Sequence, residues 1–271
     1  DRNALPDQAP EFNVRIERIE RIDDPARQDA AADKRVELHA HTKMSQMDGV
    51  TDLSKLVARA ARWGHPAIGI TDHGNVHCFP DLHSLARKHK IKALFGMEAY
   101  LANHPAEIVA AVAGRKGSGD KGLTRDDKAD FMQKVFHIIL YVKNAKGLRN
   151  LYDLVTLSHC EYFYGKPLIP REVLEAKREG LVVGSACERG EIYRLALELH
   201  TKRITQAEFE ERISHAAPLY DYFEIQPLAN NLFYVAKGIL QSQDDLKAIN
   251  RRICDEGARL GKPVAATGDV H

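Results

Sequence analysis

The chain has 271 residues, 44% hydrophobic and 28% charged, so it can bury a full-sized core as one large soluble domain or as one large and one small. That composition excludes a disordered or fibrous chain. A formal net charge of +1 gives no global field to draw the molecule to DNA or an anionic membrane, although a local basic patch could still do so.

Taken in chain order, residues 11–22 alternate apolar and polar positions as one amphipathic strand would, and residues 23–34 are polar, Ala-rich and hold Pro25, as a linker would. One lone strand cannot be a domain, so residues 1–33 read as the tail of a preceding domain and residues 34–271 as the main one. From Arg35 onward the pattern predicts strand 36–41, helix 51–62, strand 67–72, helix 79–89 and strand 92–101. After an interruption it predicts strand 136–143, helix 147–158, strand 181–186, helices 190–200 and 205–217, strand 222–228, helix 242–260 and strand 263–270. Thr51 and Asp52 precede an apolar helical face of Leu53, Leu56, Val57 and Ala60, with Asp52 or Thr51 as N-cap and Gly64 as the stop. Seven strands with intervening helices imply an α/β fold built on a parallel sheet closed, or nearly closed, into a barrel.

Between residues 102 and 135 the run Gly-Ser-Gly-Asp-Lys-Gly at 117–122, flanked by Arg115 and Lys116 and containing Lys121, reads as a solvated loop. A phosphate cradle is disfavoured because no strand leads into it and the Gly-Lys-Ser/Thr ending is missing. No apolar run reaches membrane length and no segment reads as a signal peptide. Four cysteines, Cys78, Cys160, Cys187 and Cys254, lack paired spacing, which makes a reducing cytoplasm the expectation.

The strand ends carry the chemistry. His39-Ala40-His41, Thr71-Asp72-His73, Gly96-Met97-Glu98, Ser185-Ala186-Cys187 and Gly268-Asp269-Val270-His271 each close an apolar run with a metal-type ligand. Residues two apart on a strand share a face, so His39 with His41, and Asp269 with His271, form two bidentate pincers near opposite ends of the domain. Any one such histidine could be a hydrogen-bonded core residue, but the repetition points to one multinuclear metal site on the carboxyl-terminal rim of the strands. Asp48, in the loop after the first pincer, is within reach of that rim or is a turn former beside Gly49. Asp72 is either a carboxylate that orients a ligand or a cap or turn residue. His65, His77, His83, His89, His104, His159, His200 and His215 lack partner spacing, and Cys78, Cys160 and Cys254 read as buried small apolar residues.

Several segments together, Arg-Val-Glu-Leu-His-Ala-His-Thr, Trp-Gly-His-Pro-Ala-Ile-Gly-Ile-Thr-Asp-His-Gly, Gly-Met-Glu-Ala-Tyr, Phe-His-Ile-Ile-Leu-Tyr-Val-Lys-Asn, Gly-Ser-Ala-Cys-Glu-Arg-Gly-Glu and Ala-Thr-Gly-Asp-Val-His, resemble the PHP (polymerase and histidinol phosphatase) domain of bacterial DNA polymerase III alpha subunits, within them the PolC type. The resemblance runs from about residue 34 to residue 271. It implies a distorted seven-stranded (β/α)7 barrel with a trinuclear site on His39, His41, Asp48, His73, Glu98, His137, Cys187, Asp269 and His271. One metal would take His39, His41, Glu98 and Asp269, a second Glu98, His137 and Cys187, and a third Asp48, His73 and His271, with Glu98 bridging. Within that set, Asp48, His73, Glu98 and Asp269 are the residues expected to serve catalysis. His137 is carried by the resemblance alone, because it opens its strand rather than closing it.

The chain departs from the PolC pattern, in which a proofreading exonuclease domain is inserted between the Glu98 and His137 strands. Residues 102–135 are too few to form a domain, and neither an exonuclease Asp-x-Glu motif nor a polymerase aspartate pair is present. The resemblance therefore implies a fragment with a shortened insertion, preceded by an oligonucleotide-binding (OB-like) domain and lacking the polymerase core. Its partners would be a DNA primer strand, the remaining polymerase chain and replisome subunits, with no membrane, in the cytoplasm at the nucleoid.

Five histidines, three carboxylates and one cysteine favour three divalent ions of the borderline type, zinc first, with manganese or iron as alternatives. Three functions stay open at this point. The domain is a metal-dependent phosphoesterase, either a 3′ to 5′ exonuclease or a pyrophosphatase; or a module whose metals staple the fold and support the polymerase; or a stand-alone histidinol-phosphatase-like enzyme, against which the polymerase-like motifs argue.

Overall fold

Apolar runs become strands and amphipathic runs become helices along most of the chain, giving an α/β fold with helices packed on a sheet. The computed structural model describes residue 18 and residues 27–103 and 134–271. The strand at 11–22, most of the expected tail at 1–33, and Arg115, Lys116 and Lys121 with their glycine-rich loop lie outside the described residues. The chain divides into two units, Asp1–Ala32 and Asp33–His271, and the described strands and helices all belong to the second.

Helix α1 (Leu53–Arg62) begins one residue after Asp52, which has the extended backbone of an N-cap. Its side chain makes no cap hydrogen bond and is paired instead with Lys43, a correction to the expected cap. Strand β1 (Ala67–Ile70) is buried at every position and leads through helix α2 (Phe79–His89) into β2 (Lys92–Ala102), which pairs with it in parallel, Ala67 opposite Lys92. Pro80 lies in the first turn of α2, and Lys90 ends it in the left-handed conformation, φ 54°.

The next strand, β3 (Val135–Val142), runs antiparallel to β2, Gly96 opposite Tyr141. The expectation of an all-parallel sheet is thus corrected. Strands β1 and β2 are joined by a crossover helix, which returns the chain to the starting end of the sheet, whereas β3 begins at the end where β2 stops. Helix α3 (Ala145–Cys160), capped by the Asn144 side chain, is followed by a hairpin, β4 (Phe163–Tyr164) and β5 (Lys166–Pro170), and by short helix α4 (Arg171–Ala176). These three elements are absent from the sequence reading because they are short and lack periodicity. Cys160, expected to be buried, is exposed at the end of α3, beyond the reach of the core.

Strand β6 (Leu181–Gly184) pairs antiparallel with β3. Helices α5 (Glu191–His200) and α6 (Gln206–Ala216) follow, the second opened by a Thr205–Glu208 capping box. Strand β7 (Phe223–Ile225) pairs in parallel with β8 (Val264–Ala266), with the short helix α7 (Leu232–Ala236) and the long α8 (Gln243–Leu260) between them. Single bridges continue the pairing beyond the named strands: Glu37 to Ile68, Ala40 to Val270 and Gly184 to Tyr222, all parallel. The expected strand 36–41 is present only through two of these bridges. The strand expected over 263–270 ends at Ala266, and Asp269 beyond it adopts a left-handed backbone, φ 47°, that a strand does not contain.

Helices and sheet share one core in which Ile70, Leu82, Met97, Leu101, Ile138, Leu140, Phe209 and Phe223 are fully buried. Each such side chain contributes roughly 1.5–3 kcal/mol of burial, and together they fix the strand ends on which the polar residues stand.

Candidate metal centre

His39 and His41 flank Ala40 on an extended segment, and both side chains are wholly buried. His41 N donates to Val270 O at 2.7 Å and Val270 N to His39 O at 3.0 Å, so the pincers from opposite ends of the domain lie side by side. In the second pincer, alternation along a strand is not what orients the pair. The left-handed backbone of Asp269 turns its Oδ1 toward His39 and His41, and His271 Nδ1 lies 3.8 Å from the same oxygen.

Glu98 is the hub. His73 is bridged to Glu98, with Gly74 N donating to Glu98 O at 2.8 Å, so the two residues sit on adjacent strand ends. Because β3 is antiparallel, its opening residues lie beside the closing residues of β2, which brings His137 Nδ1 to 2.8 Å from Glu98 Oε1. Cys187, in the turn after β6, places its sulfur 3.6 Å from that oxygen and 3.7 Å from His137 Nδ1. The other oxygen, Oε2, lies 2.7 Å from His73 Nδ1 and 3.6 Å from His41 Nε2. One carboxylate thus presents separate oxygens to two groups of donors.

Asp48 stands on the solvent side. Its Oδ2 is 2.7 Å from His73 Nε2 and 3.3 Å from His271 Nε2, and its side chain is 51% exposed. All nine residues that the resemblance names therefore surround one region. A cleft of about 370 Å³ opens there, lined by Asp48, His73, His137, Cys187, Asp269 and His271 together with Glu188, Arg189 and Asn230.

The donor set fits divalent cations on three counts. First, His39 Nε2 and His41 Nε2 are buried without a hydrogen-bond partner, a costly state for a polar atom unless something else meets its lone pair. Second, His39 Nε2 lies 3.4 Å from Glu98 Oε1 and 3.2 Å from Asp269 Oδ1, and His41 Nε2 lies 3.6 Å from Glu98 Oε2 and from Asp269 Oδ1. Donors at about 2.0–2.2 Å from a tetrahedral ion stand roughly 3.3–3.6 Å apart, a spacing that three of these four separations meet, while the fourth, 3.2 Å, is at the long end of direct hydrogen bonds. Third, the opposite ring nitrogens are committed. His39 Nδ1 is 3.0 Å from Glu224 Oε2, a carboxylate that can only accept. His41 Nδ1 is 2.9 Å from Ser45 Oγ, whose one proton goes to Asp72 Oδ1 at 2.7 Å, so the imidazole must donate. Both rings therefore donate from Nδ1, which leaves Nε2 as the nitrogen each ring turns to the centre.

The electrostatics agree. Burial penalises charge on Glu98, yet His137 and His39 beside it hold its carboxyl well below the usual range. Burial likewise opposes charge on His39, but the Glu224 and Glu98 carboxylates outweigh it and raise the imidazole well above its ordinary value. Burial drives the Cys187 thiol well above its ordinary value, with the charges of Glu98, Glu188 and Asp269 adding to it. A cation at the centre would reverse the last two effects.

Several residues of this centre escape the sequence reading. Glu224 is buried and also accepts from Tyr222 and Thr267, each at 3.0 Å. A glutamate within the apolar run Tyr222-Phe223-Glu224-Ile225 was the signal for it. Ser45 joins His41, Asp72 and the His73 backbone, so Asp72 acts on a ligand through Ser45 rather than directly. Glu37 Oε1 accepts from the backbone of His39 and of Gly268, tying the two pincers together. Of the unassigned histidines, His159 contacts the backbone O of Gly74, the residue after His73, and His200 contacts Asp245; neither is one of the nine donors.

Residues 37–227 match the PHP domain family. The DNA polymerase III PolC-type of Clostridium perfringens is 25% identical to this chain over 438 residues, covering 97% of the chain and 30% of the relative. That of Bacillus subtilis is 25% identical over 432 residues, covering 93% and 29%. The chain spans less than a third of the length of these curated relatives, and their alignments are longer than its 271 residues, so many aligned positions fall opposite gaps in it. Among solved structures, a Bifidobacterium adolescentis protein proposed to be a metal-dependent phosphoesterase is similar, with 15% identity and a TM-score of 0.43, over 91% of this chain and 88% of that one.

Proposed function

The chain belongs to the PHP domain family, and we propose that its cleft is a trinuclear metal site for phosphoester hydrolysis, in a chain that works as part of a PolC-type DNA polymerase III. The observation that carries this reading is the pair of orphaned Nε2 atoms facing Glu98 and Asp269 at coordination spacing beside an open cleft. A structural metal site is closed, whereas a catalytic one keeps a position for substrate. The strand pairings, continued by the three single bridges, support a distorted seven-stranded barrel whose rim holds the site.

His39, His41, Glu98 and Asp269 would hold one ion, Glu98, His137 and Cys187 a second, and Asp48, His73 and His271 a third, with zinc the best match to the donors and manganese or iron next. Bound cations would supply Lewis acidity toward phosphoryl oxygens and a nucleophile at neutral pH. Glu98, with one oxygen to each of two donor groups, sets the spacing of the centre. Glu224 and Ser45 fix the tautomers of His39 and His41. Asp48 and Asp269 are the donor carboxylates that line the cleft, and His73, between Asp48 and Glu98, links the open and buried sides. A 3′ to 5′ exonuclease acting on a primer strand and a pyrophosphatase both fit this cleft. In the intact polymerase it would face DNA, the remaining polymerase chain and other replication proteins. Among the described residues no helix is long and apolar enough to cross a membrane.

A second reading, metals as staples without catalysis, draws support from the complete burial of His39, His41 and Glu98. Metal analysis of the purified chain beside hydrolysis of a labelled single strand, with and without EDTA, separates the two. About three ions per chain, EDTA-sensitive cleavage, and loss of cleavage in Asp48→Asn at an unchanged melting temperature support hydrolysis. Three ions without cleavage, and a large loss of stability on chelation, leave the staple.

A further inference from the structure

The turn after β6 brings to the centre a carboxylate that belongs to none of the three donor groups. Glu188 follows Cys187 directly, is half-buried, and lines the cleft beside it. One Glu188 carboxylate oxygen, Cys187 Sγ and a carboxylate oxygen of Asp269 all lie within 4.8 Å of one another. Among the described residues no hydrogen bond or ion pair engages the Glu188 carboxylate. The turn itself is fixed. Ala186 takes a left-handed backbone, φ 58°, Gly190 N donates to Cys187 O at 2.9 Å, and His137 N donates to Arg189 O at 3.1 Å. A Cβ on Gly190 would stand 1.9 Å from Ser185 O, so glycine alone permits this path.

Two acidic residues beside a thiol do not by themselves make a metal site, but two further observations point to a cation here. Asp269 Oδ1 lies 3.2 Å from His39 Nε2, a wholly buried nitrogen without a hydrogen-bond partner. Cys187 Sγ is also 3.6 Å from Glu98 Oε1 and 3.7 Å from His137 Nδ1, so the buried sulfur is common to both sets of donors. Two carboxylates this close repel each other unless a cation joins them. In the proposed centre, the ion of Glu98, His137 and Cys187 has three donors, one short of a closed tetrahedron. We propose that Glu188 is a tenth metal-binding residue, the fourth donor to the ion held by Glu98, His137 and Cys187. Two ions then have four protein donors each and are closed, and the ion of Asp48, His73 and His271, with three, keeps the position for a phosphoryl oxygen. The inference rests on the trinuclear reading of the cleft and deepens it by dividing the ions between structural and catalytic roles.

The test is Co(II) titration of the metal-free chain against a competing chelator, for the wild type, Glu188→Gln and Glu188→Ala. The thiolate-to-cobalt absorption reports the ion at Cys187 alone, and total cobalt and the metal-free melting temperature are measured beside it. In Glu188→Ala the half-saturation of that band rises about tenfold or more, no less than the loss of an outer partner costs, and the visible ligand-field bands move. Glu188→Gln, which keeps the shape and removes the charge, shifts the band less and in the same direction. Added acetate restores the titration of Glu188→Ala by filling the vacated position, and the other two ions bind as in the wild type. A thiolate band within twofold of the wild type in both variants overturns the proposal and leaves the trinuclear reading standing. A weakening shared equally by all three ions and not relieved by acetate does the same, since it reports only a lost neighbouring charge. Cobalt bound to the wild type without a thiolate band also overturns the proposal, and a wild type that binds no cobalt overturns the metal reading with it.

Discussion

Glu224→Gln is the sharpest probe of the centre, because it changes one charge and no shape at a residue outside the nine donors. The Glu224 carboxylate accepts from His39 Nδ1, Thr267 Oγ1 and Gln226 Nε2 on Oε2, at 3.0, 3.0 and 3.4 Å, and from Tyr222 on Oε1 at 3.0 Å. A glutamine would place its NH2 toward Tyr222, whose hydroxyl can rotate to accept, and keep its oxygen toward His39. No buried donor is then orphaned, and the cost to the metal-free fold is the step from charge-assisted to neutral hydrogen bonds, about 1–1.5 kcal/mol. Metal binding loses more. A neutral oxygen holds the His39 Nδ1 proton less firmly and makes Nε2 a weaker donor, and such outer partners are worth about 10–100-fold in affinity, or about 1.4–2.7 kcal/mol. The assay is competition for zinc against a chromophoric chelator, beside thermal melts of the metal-free and loaded protein. Zinc affinity within twofold of the wild type would refute the argument that Glu224 sets the His39 tautomer for a metal.

Cys187 provides a spectroscopic test: burial and the nearby Glu98, Glu188 and Asp269 charges keep the thiol protonated in the metal-free chain, so loading should release its proton, and the thiolate-to-cobalt absorption of the Co(II) protein should vanish in Cys187→Ser. A Co(II) spectrum that Cys187→Ser leaves unchanged would remove Cys187 from the donor set. In EDTA, Glu98 is held below a glutamate's ordinary 4.5, so its contribution to stability is present above that value and lost as pH falls, while His39 is raised above 6.5, so its contribution is complete below that value and lost as pH rises. The metal-free chain should therefore melt highest between those values, and a melting temperature flat across that range and above it contradicts the assignment; the loaded chain should instead weaken as acid displaces the ions. Gly190→Ala should cost about 1–3 kcal/mol and lower metal occupancy, because the new Cβ meets the Ser185 carbonyl at 1.9 Å and pushes the Cys187 turn aside; an unchanged melting temperature would show that the turn yields.

Much of this was legible in the sequence. Helix α2 begins and ends where its apolar spacing places it, and β1, β2, α5, α6 and α8 fall within a few residues of expectation, because their periodicity is strong and their ends carry glycine, proline or capping residues. The direction of β3 was not legible. Alternation of strands and helices implies parallel pairing only when a crossover helix joins neighbours, and between β2 and β3 stands the interrupted stretch that periodicity could not read. The same error hid His137, since a histidine opening a parallel strand lies at the wrong end for the rim. Pattern also failed at Asp269, where backbone conformation rather than alternation aims the side chain, and at Glu224 and Ser45, whose roles exist only through partners distant in sequence.

The placement of Glu98 explains why metal, fold and chemistry are hard to separate at the buried side of this centre. It sits on β2, which pairs with β1, β3 and β5, and its two oxygens reach donors from the His39–His41 segment, the β1 end, the β3 start and the turn after β6. Any change there alters the neighbours of several strands at once, so loss of activity in Glu98 or His39 variants would not distinguish a staple from a catalyst. The open side is different. Asp48 belongs to a loop, contacts only His73 and His271 among the nine, and is half exposed, so its substitution perturbs chemistry with little of the core attached. The geometry thus confines a decisive test to the Asp48 side, and it gives that test its meaning: a site needed only to hold strands together would have no reason to keep a carboxylate facing solvent.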